Sequence, residues 1–114
     1  VLGVTFVSEG VSFALKGNPA SVSSTFIGPH CKIGANCRLQ ESYIAEKCTL
    51  AENVTVLFSL IAENCFVGSN SVIEKGCIIG PGVTLGEGAH IPSGVFVIHK
   101  GFFWRIVASA AVRP

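Results

Sequence analysis

From Val22 to Val97 an aliphatic residue returns every five or six positions without a miss. The series is Val22, Ile27, Ile33, Leu39, Ile44, Leu50, Val56, Ile61, Val67, Ile73, Ile79, Leu85, Ile91 and Val97. A period near six fits neither an α-helix nor a simple alternating strand, so it has to be read as a repeat. Three such spacings add to 17 residues, and the five-residue spacing lengthens to six after Ile73. Stacked by that count, Ile27, Ile44, Ile61, Ile79 and Val97 form one column. Ile33, Leu50, Val67 and Leu85 form a second, and Val22, Leu39, Val56, Ile73 and Ile91 a third.

The residues between them fix the phase. Two positions before each aliphatic residue stands a smaller one, such as Thr25, Cys31, Cys37, Ser42, Cys48, Val54 and Ser59. Side chains alternate along an extended backbone, so the residue between the two must point outward. Each unit is a very short strand followed by a corner. The corners carry Gly and Asn, as in Gly34-Ala35-Asn36 and Gly68-Ser69-Asn70, where positive φ is most easily tolerated. Three strands and three corners per turn give a triangular coil, with successive coils stacked by parallel pairing at about 4.8 Å.

The units IGPHCK, IGANCR, IAENCF, IGPGVT and LGEGAH resemble the hexapeptide repeat of left-handed parallel β-helices. The resemblance alone supplies the handedness, since the general crossover rule favours a right-handed connection. The expected fold is all-β, a left-handed parallel β-helix of four to five coils over residues 22–101. Residues 1–21 break the spacing and are expected as irregular N-terminal cap strands that cover an otherwise open end. Residues 102–114, apolar and without the pattern, are expected as a C-terminal cap or tail.

A chain of 114 residues makes one domain, and 49% apolar residues suffice for a narrow core. A formal charge of +1 with 13% charged residues suggests neither nucleic acid nor an anionic membrane as partner. The sequence has no secretory signal pattern and no apolar run long enough to span a bilayer, so a cytoplasmic location is expected. Met is absent even from position 1, and the chain is expected to be a piece of something larger.

The five cysteines, Cys31, Cys37, Cys48, Cys65 and Cys77, all occupy the small inward position. None forms a C-x-x-C pair, and a file of thiols does not converge as metal ligands must. They are expected to be buried structural thiols. His30, His90 and His99 are expected at the surface, with no carboxylate evidently placed to orient any of them. Their separations do not match a zinc site of three histidines, and Glu46, Glu52, Glu63 and Glu87 read as solvated corners. No catalytic residue, cofactor or metal is expected.

Outward positions are more telling. They read Lys32, Thr49, Phe66 and Thr84 on one face and Arg38, Thr55, Val72 and His90 on the next. On the last they read Phe26, Tyr43, Leu60, Ile78 and Phe96, apolar or aromatic in every coil. Such a stripe marks a contact surface, unless residues 1–21 or 102–114 fold over it. Phe58 stands in a corner beside it and is expected to project as a knob.

The 17-residue beat and its recurring VSSTFI, LQESYI and VLFSLI signature are similar to the β-helix of two related groups. One is the epsilon subunit of eukaryotic translation initiation factor 2B, with its gamma relative. The other is the sugar-1-phosphate nucleotidyltransferases, in which the β-helix regulates or oligomerises. The run from Gly28 to Val97 is most similar to the epsilon subunit. That resemblance implies an assembly domain within the guanine-nucleotide exchange factor for initiation factor 2. The exchange chemistry would lie in a separate domain, and the gamma subunit would be the nearest partner. A hexapeptide acyltransferase is a more distant resemblance.

Overall fold

The computed structural model of the 114-residue chain describes residues 4–100 and 103–108, with side chains through Ile98. Seventeen strands, most of two residues, are wound into three parallel sheets that form a left-handed β-helix of roughly five turns. The first face carries β2 (Ser12–Phe13), β5 (Lys32–Ile33), β8 (Thr49–Leu50), β11 (Phe66–Val67) and β14 (Thr84–Leu85). The second carries β3 (Ser21–Ser23), β6 (Arg38–Gln40), β9 (Thr55–Leu57), β12 (Val72–Ile73) and β15 (His90–Ile91). The third carries β1 (Phe6–Val7), β4 (Phe26–Ile27), β7 (Tyr43–Ile44), β10 (Leu60–Ile61), β13 (Ile78–Ile79) and β16 (Val95–Lys100). It ends with β17 (Phe103–Ala108), which pairs antiparallel with β16.

The aliphatic columns fill the prism. Ile27, Leu39, Ile44, Val56, Ile61, Val67, Ile73 and Ile79 have no solvent exposure. Each contributes roughly 2 kcal/mol of burial before chain entropy is set against it. Every corner from residue 24 to 94 places one residue in the left-handed region. Ser24, His30, Asn36, Glu41, Lys47, Asn53, Phe58, Asn64 and Asn70 do so first, and glycines 76, 82, 88 and 94 continue the pattern. The corner also passes close to the next coil. A Cβ on Gly34 would stand 2.5 Å from the carbonyl carbon of Ala51, which is why that position stays minimal.

The corner that leads from the second face to the third is one residue short in the first three of these crossings. Ser59 therefore follows Ser42 by 17 residues, whereas Cys77 follows Ser59 by 18. Hydroxyls line that corner and close it. Thr25, Ser42 and Ser59 each donate to the carbonyl two residues earlier, at 2.8, 2.8 and 2.7 Å. The next coil's N–H groups donate to them in turn, Ser59 N to Ser42 Oγ at 3.2 Å and Cys77 N to Ser59 Oγ at 3.1 Å.

The first coil pairs more regularly than its sequence suggests. Phe6 is in register with Phe26 and Ser12 with Lys32, 20 residues apart, and Ser21 with Arg38 at the usual 17. The irregularity is confined to residues 14–20, which lengthen one corner by three residues and so hide the phase. Residues 1–3, 101–102 and 109–114 lie outside the described residues, and with them most of the expected C-terminal cap or tail.

Candidate functional site

Parallel pairing in register sets the outward residues of the third face in one file: Phe6, Phe26, Tyr43, Leu60, Ile78 and Phe96. The aromatic rings at its upper end stack face to face. Phe6 and Phe26 have centroids 5.4 Å apart and Phe26 and Tyr43 4.8 Å apart, with ring planes within 10°. Each side of such a stack is covered by its neighbours, yet the outer side stays open. Phe6 keeps 56% of its surface exposed, Tyr43 46%, and Leu60, Ile78 and Phe96 about two-fifths each.

Phe6 was not legible as part of the stripe. The only signal was an aromatic residue 20 positions before Phe26, outside the 17-residue beat. Among the described residues neither end folds over the file. Residues 4–21 form the first coil, and β17 extends the same sheet beyond β16.

Where the strands of this face begin, the corner residues stack as Ser24, Glu41, Phe58 and Gly76. Phe58 holds φ at 46°, a conformation that bulky side chains rarely adopt, and its ring is 44% exposed. The Lys75 ammonium lies 5.4 Å from the ring centroid. Phe58, Tyr43, Leu60 and Ile78 line a shallow groove together with Phe26 and Glu41. Where the strands end, Glu46 and Glu63 flank Phe26 and Tyr43.

Residues 7–91 match the family described as the EIF2B subunit epsilon LbH domain, well over half of the chain. The chain belongs to this family. No curated protein sequence matches this LbH domain significantly. Among solved structures it is similar to perosamine N-acetyltransferase from Caulobacter crescentus in complex with CoA and GDP-perosamine, at 19% identity and a TM-score of 0.57. That likeness covers 92% of this chain and 54% of that one, and at such identity it speaks for the fold alone. The acetyltransferase domain of PglB from Neisseria gonorrhoeae is also similar, at 16% identity and a TM-score of 0.42 over 84% of this chain and 55% of that one. The LbH domain thus spans about half the length of these structures.

The polar groups of the LbH domain are dispersed. His30 lies against the first coil, where a Cβ on Gly10 would meet its ring nitrogen at 2.3 Å. His90 is exposed on the second face and, against expectation, pairs through Nε2 with the carboxylate of Glu74. The pair escapes sequence reading because Glu74 stands one coil earlier, 16 residues away. The side chain of His99 lies outside the described residues. No group of three or more His, Cys, Asp or Glu converges among the described residues.

The five thiols are buried and free of disulfides. Cys31, Cys37, Cys48, Cys65 and Cys77 each donate to a corner carbonyl of the following coil at 3.0 Å. Pairing with Cys48 and then burial push the Cys31 thiol above its ordinary value, and burial does the same to Cys37. Cys48 is favoured as thiolate by Cys31, but Cys65 and burial outweigh this and push it up to about 11. The neighbouring Cys48 thiol lowers Cys65 below its ordinary value. As bond donors to carbonyls these thiols serve the core.

Proposed function

We propose that this β-helix is the assembly domain of the epsilon subunit of translation initiation factor 2B, and that it contributes surface rather than chemistry. The observation that carries the reading is the file from Phe6 to Phe96, half-buried at Phe26 and exposed at its other five positions along one face of a domain of this family. Apolar and aromatic groups aligned on consecutive rungs supply the desolvated centre that an interface needs. On this reading Phe26, Tyr43, Leu60, Ile78, Phe96 and Phe58 seat another subunit of the factor, the gamma subunit foremost. Nucleotide exchange on initiation factor 2 is then performed by a different part of the parent protein, in the cytoplasm. No residue of residues 4–98 is assigned a catalytic role.

The test is affinity purification of the full-length parent from its own cells, with partners identified by mass spectrometry. The expected result is recovery of the other factor 2B subunits together with initiation factor 2. The double variant Tyr43→Asp with Ile78→Asp is expected to lose those subunits while its circular dichroism stays native. Unchanged recovery would rule out this face. Recovery of the parent alone, turning over a nucleoside triphosphate and a sugar phosphate, would replace the reading with a sugar-1-phosphate nucleotidyltransferase.

A further inference from the structure

We infer that the subunit seated on the aromatic face meets it with arginine, a guanidinium lying over the Phe26–Tyr43 stack between carboxylates on either side. The inference rests on reading this face as the contact surface and states the chemistry of what sits there. Its warrant is the charge at the edges of the apolar file. The shallow groove over the file reaches Glu41 where the strands begin. A second depression, beside Phe26 and Tyr43, is bordered by Glu46 and Glu63 where they end. The Tyr43 ring lines both, so three exposed carboxylates surround two stacked rings.

Among the described residues no cation of the domain pairs with them. The one ion pair there joins Glu74 to His90 on another face, and the Lys75 ammonium lies over the Phe58 ring. Glu46 and Glu63 also hold the same corner position in adjacent coils, since Lys47 N donates to the Pro29 carbonyl and Asn64 N to that of Glu46. Coils stack about 4.8 Å apart, so two like charges stand one rung apart and repel in the free domain. A cation set between them removes that repulsion. The floor beside them is kept low by Gly28 and Ala45, where a Cβ on Gly28 would stand 2.8 Å from the Ala45 carbonyl carbon. Room is left there for a side chain from outside.

A guanidinium suits each of these features. It is flat and weakly hydrated, so it lies on the open side of an aromatic ring, and its fork of N–H donors bonds two carboxylates at once. An ammonium is a compact, strongly hydrated point and does neither as well. The lower rungs differ. Ile78 follows Gly76 and precedes Pro81, and Phe96 follows Gly94, so no carboxylate flanks them in these corner positions. The file therefore has a direction: the cationic end of the partner's contact segment lies at Phe26 and Tyr43, and its apolar end at Ile78 and Phe96.

The test uses the full-length parent purified from its own cells, with retention of the other subunits measured across salt concentrations. Glu46→Gln with Glu63→Gln should weaken retention by about tenfold at physiological salt and approach the unsubstituted protein at high salt, where charge is screened. Tyr43→Phe should retain the subunits, whereas Tyr43→Leu, which keeps apolar area without a π face, should weaken retention several-fold. Phenylglyoxal, which modifies arginine, should spare an arginine of the retained subunit in the intact complex. The complex of the double Gln variant should leave that same arginine reactive. Unchanged retention and salt dependence in the double Gln variant, or no arginine whose protection depends on Glu46 and Glu63, would overturn the inference. Should Tyr43→Asp with Ile78→Asp still lose the subunits in that case, the assembly reading stands without it. Undiminished retention by that Asp variant would instead remove this face as the contact, and the inference with it.

Discussion

A phenylalanine at φ 46° is costly for the fold, and at the same corner position coils four and five carry Gly76 and Gly94. Holding a bulky residue in the left-handed region costs on the order of 1 kcal/mol, while Phe58 stays 44% exposed with the Lys75 ammonium over its ring. Phe58→Gly should therefore leave thermal stability equal or raise it by about 1 kcal/mol, and should weaken subunit capture by about tenfold. A clear loss of stability would show that the ring packs for the sake of its own coil. The thiols make a second residue-scale prediction. In the folded chain Cys31, Cys37 and Cys48 hold their protons above the ordinary thiol value of 9.0, so the unfolded chain releases them first as pH rises. Their contribution is complete below that value and is lost as pH climbs toward about 11, while the lowered Cys65 opposes part of the loss. Urea midpoints should be flat from neutral pH to about 8.5 and fall between 9 and 10.5, and substitution of Cys48 by Ser should flatten the fall.

At the scale of the element, the three short corners all carry hydroxyls, whereas the longer ones carry five thiols, the Ser71 hydroxyl or an aliphatic group at the same inward position. Ser59 Oγ lies 2.7 Å from the carbonyls of both Leu57 and Glu74 and accepts from Cys77 N. Ser59→Ala leaves that buried N–H without a partner and should cost about 2 kcal/mol in chemical denaturation. A cost near zero would mean that the corner relaxes without it. How much of this could be read beforehand depended on whether a neighbour was one coil away or a few residues away. The aliphatic columns, the outward file from Phe26 to Phe96 and the inward thiols follow from counting along the chain, because strict in-register stacking turns sequence spacing into position. Phe6 was missed because three residues between 14 and 20 shift the count, and no local pattern marks where an insertion falls. The Glu74–His90 pair was missed because two flexible side chains meet across coils, which spacing alone does not reveal. That Phe58 stands in a corner was legible; its positive φ and the lysine above its ring were not.

As a whole molecule the chain is a one-dimensional stack in which each coil touches only its neighbours, so stability should grade from the ends inward. Ile61→Ala in the middle coil should cost about 3–4 kcal/mol and Ile91→Ala near the end distinctly less, as read by thermal unfolding. Amide exchange should be slowest for N–H groups such as Tyr43 and Leu60, which bond to Ser59 and Cys77 carbonyls within the stack, and fastest around Phe6 and Ser12. The unequal corners carry a last consequence. One corner has gained a residue at 74–76 and another has gained three before Ala20, yet every strand after them resumes its register. Length errors are absorbed where they occur and are not passed on. A codon inserted at a corner alters a local bulge, whereas a codon inserted inside a two-residue strand exchanges core for surface. The gene for such a chain can drift in length at its corners and must keep count between them.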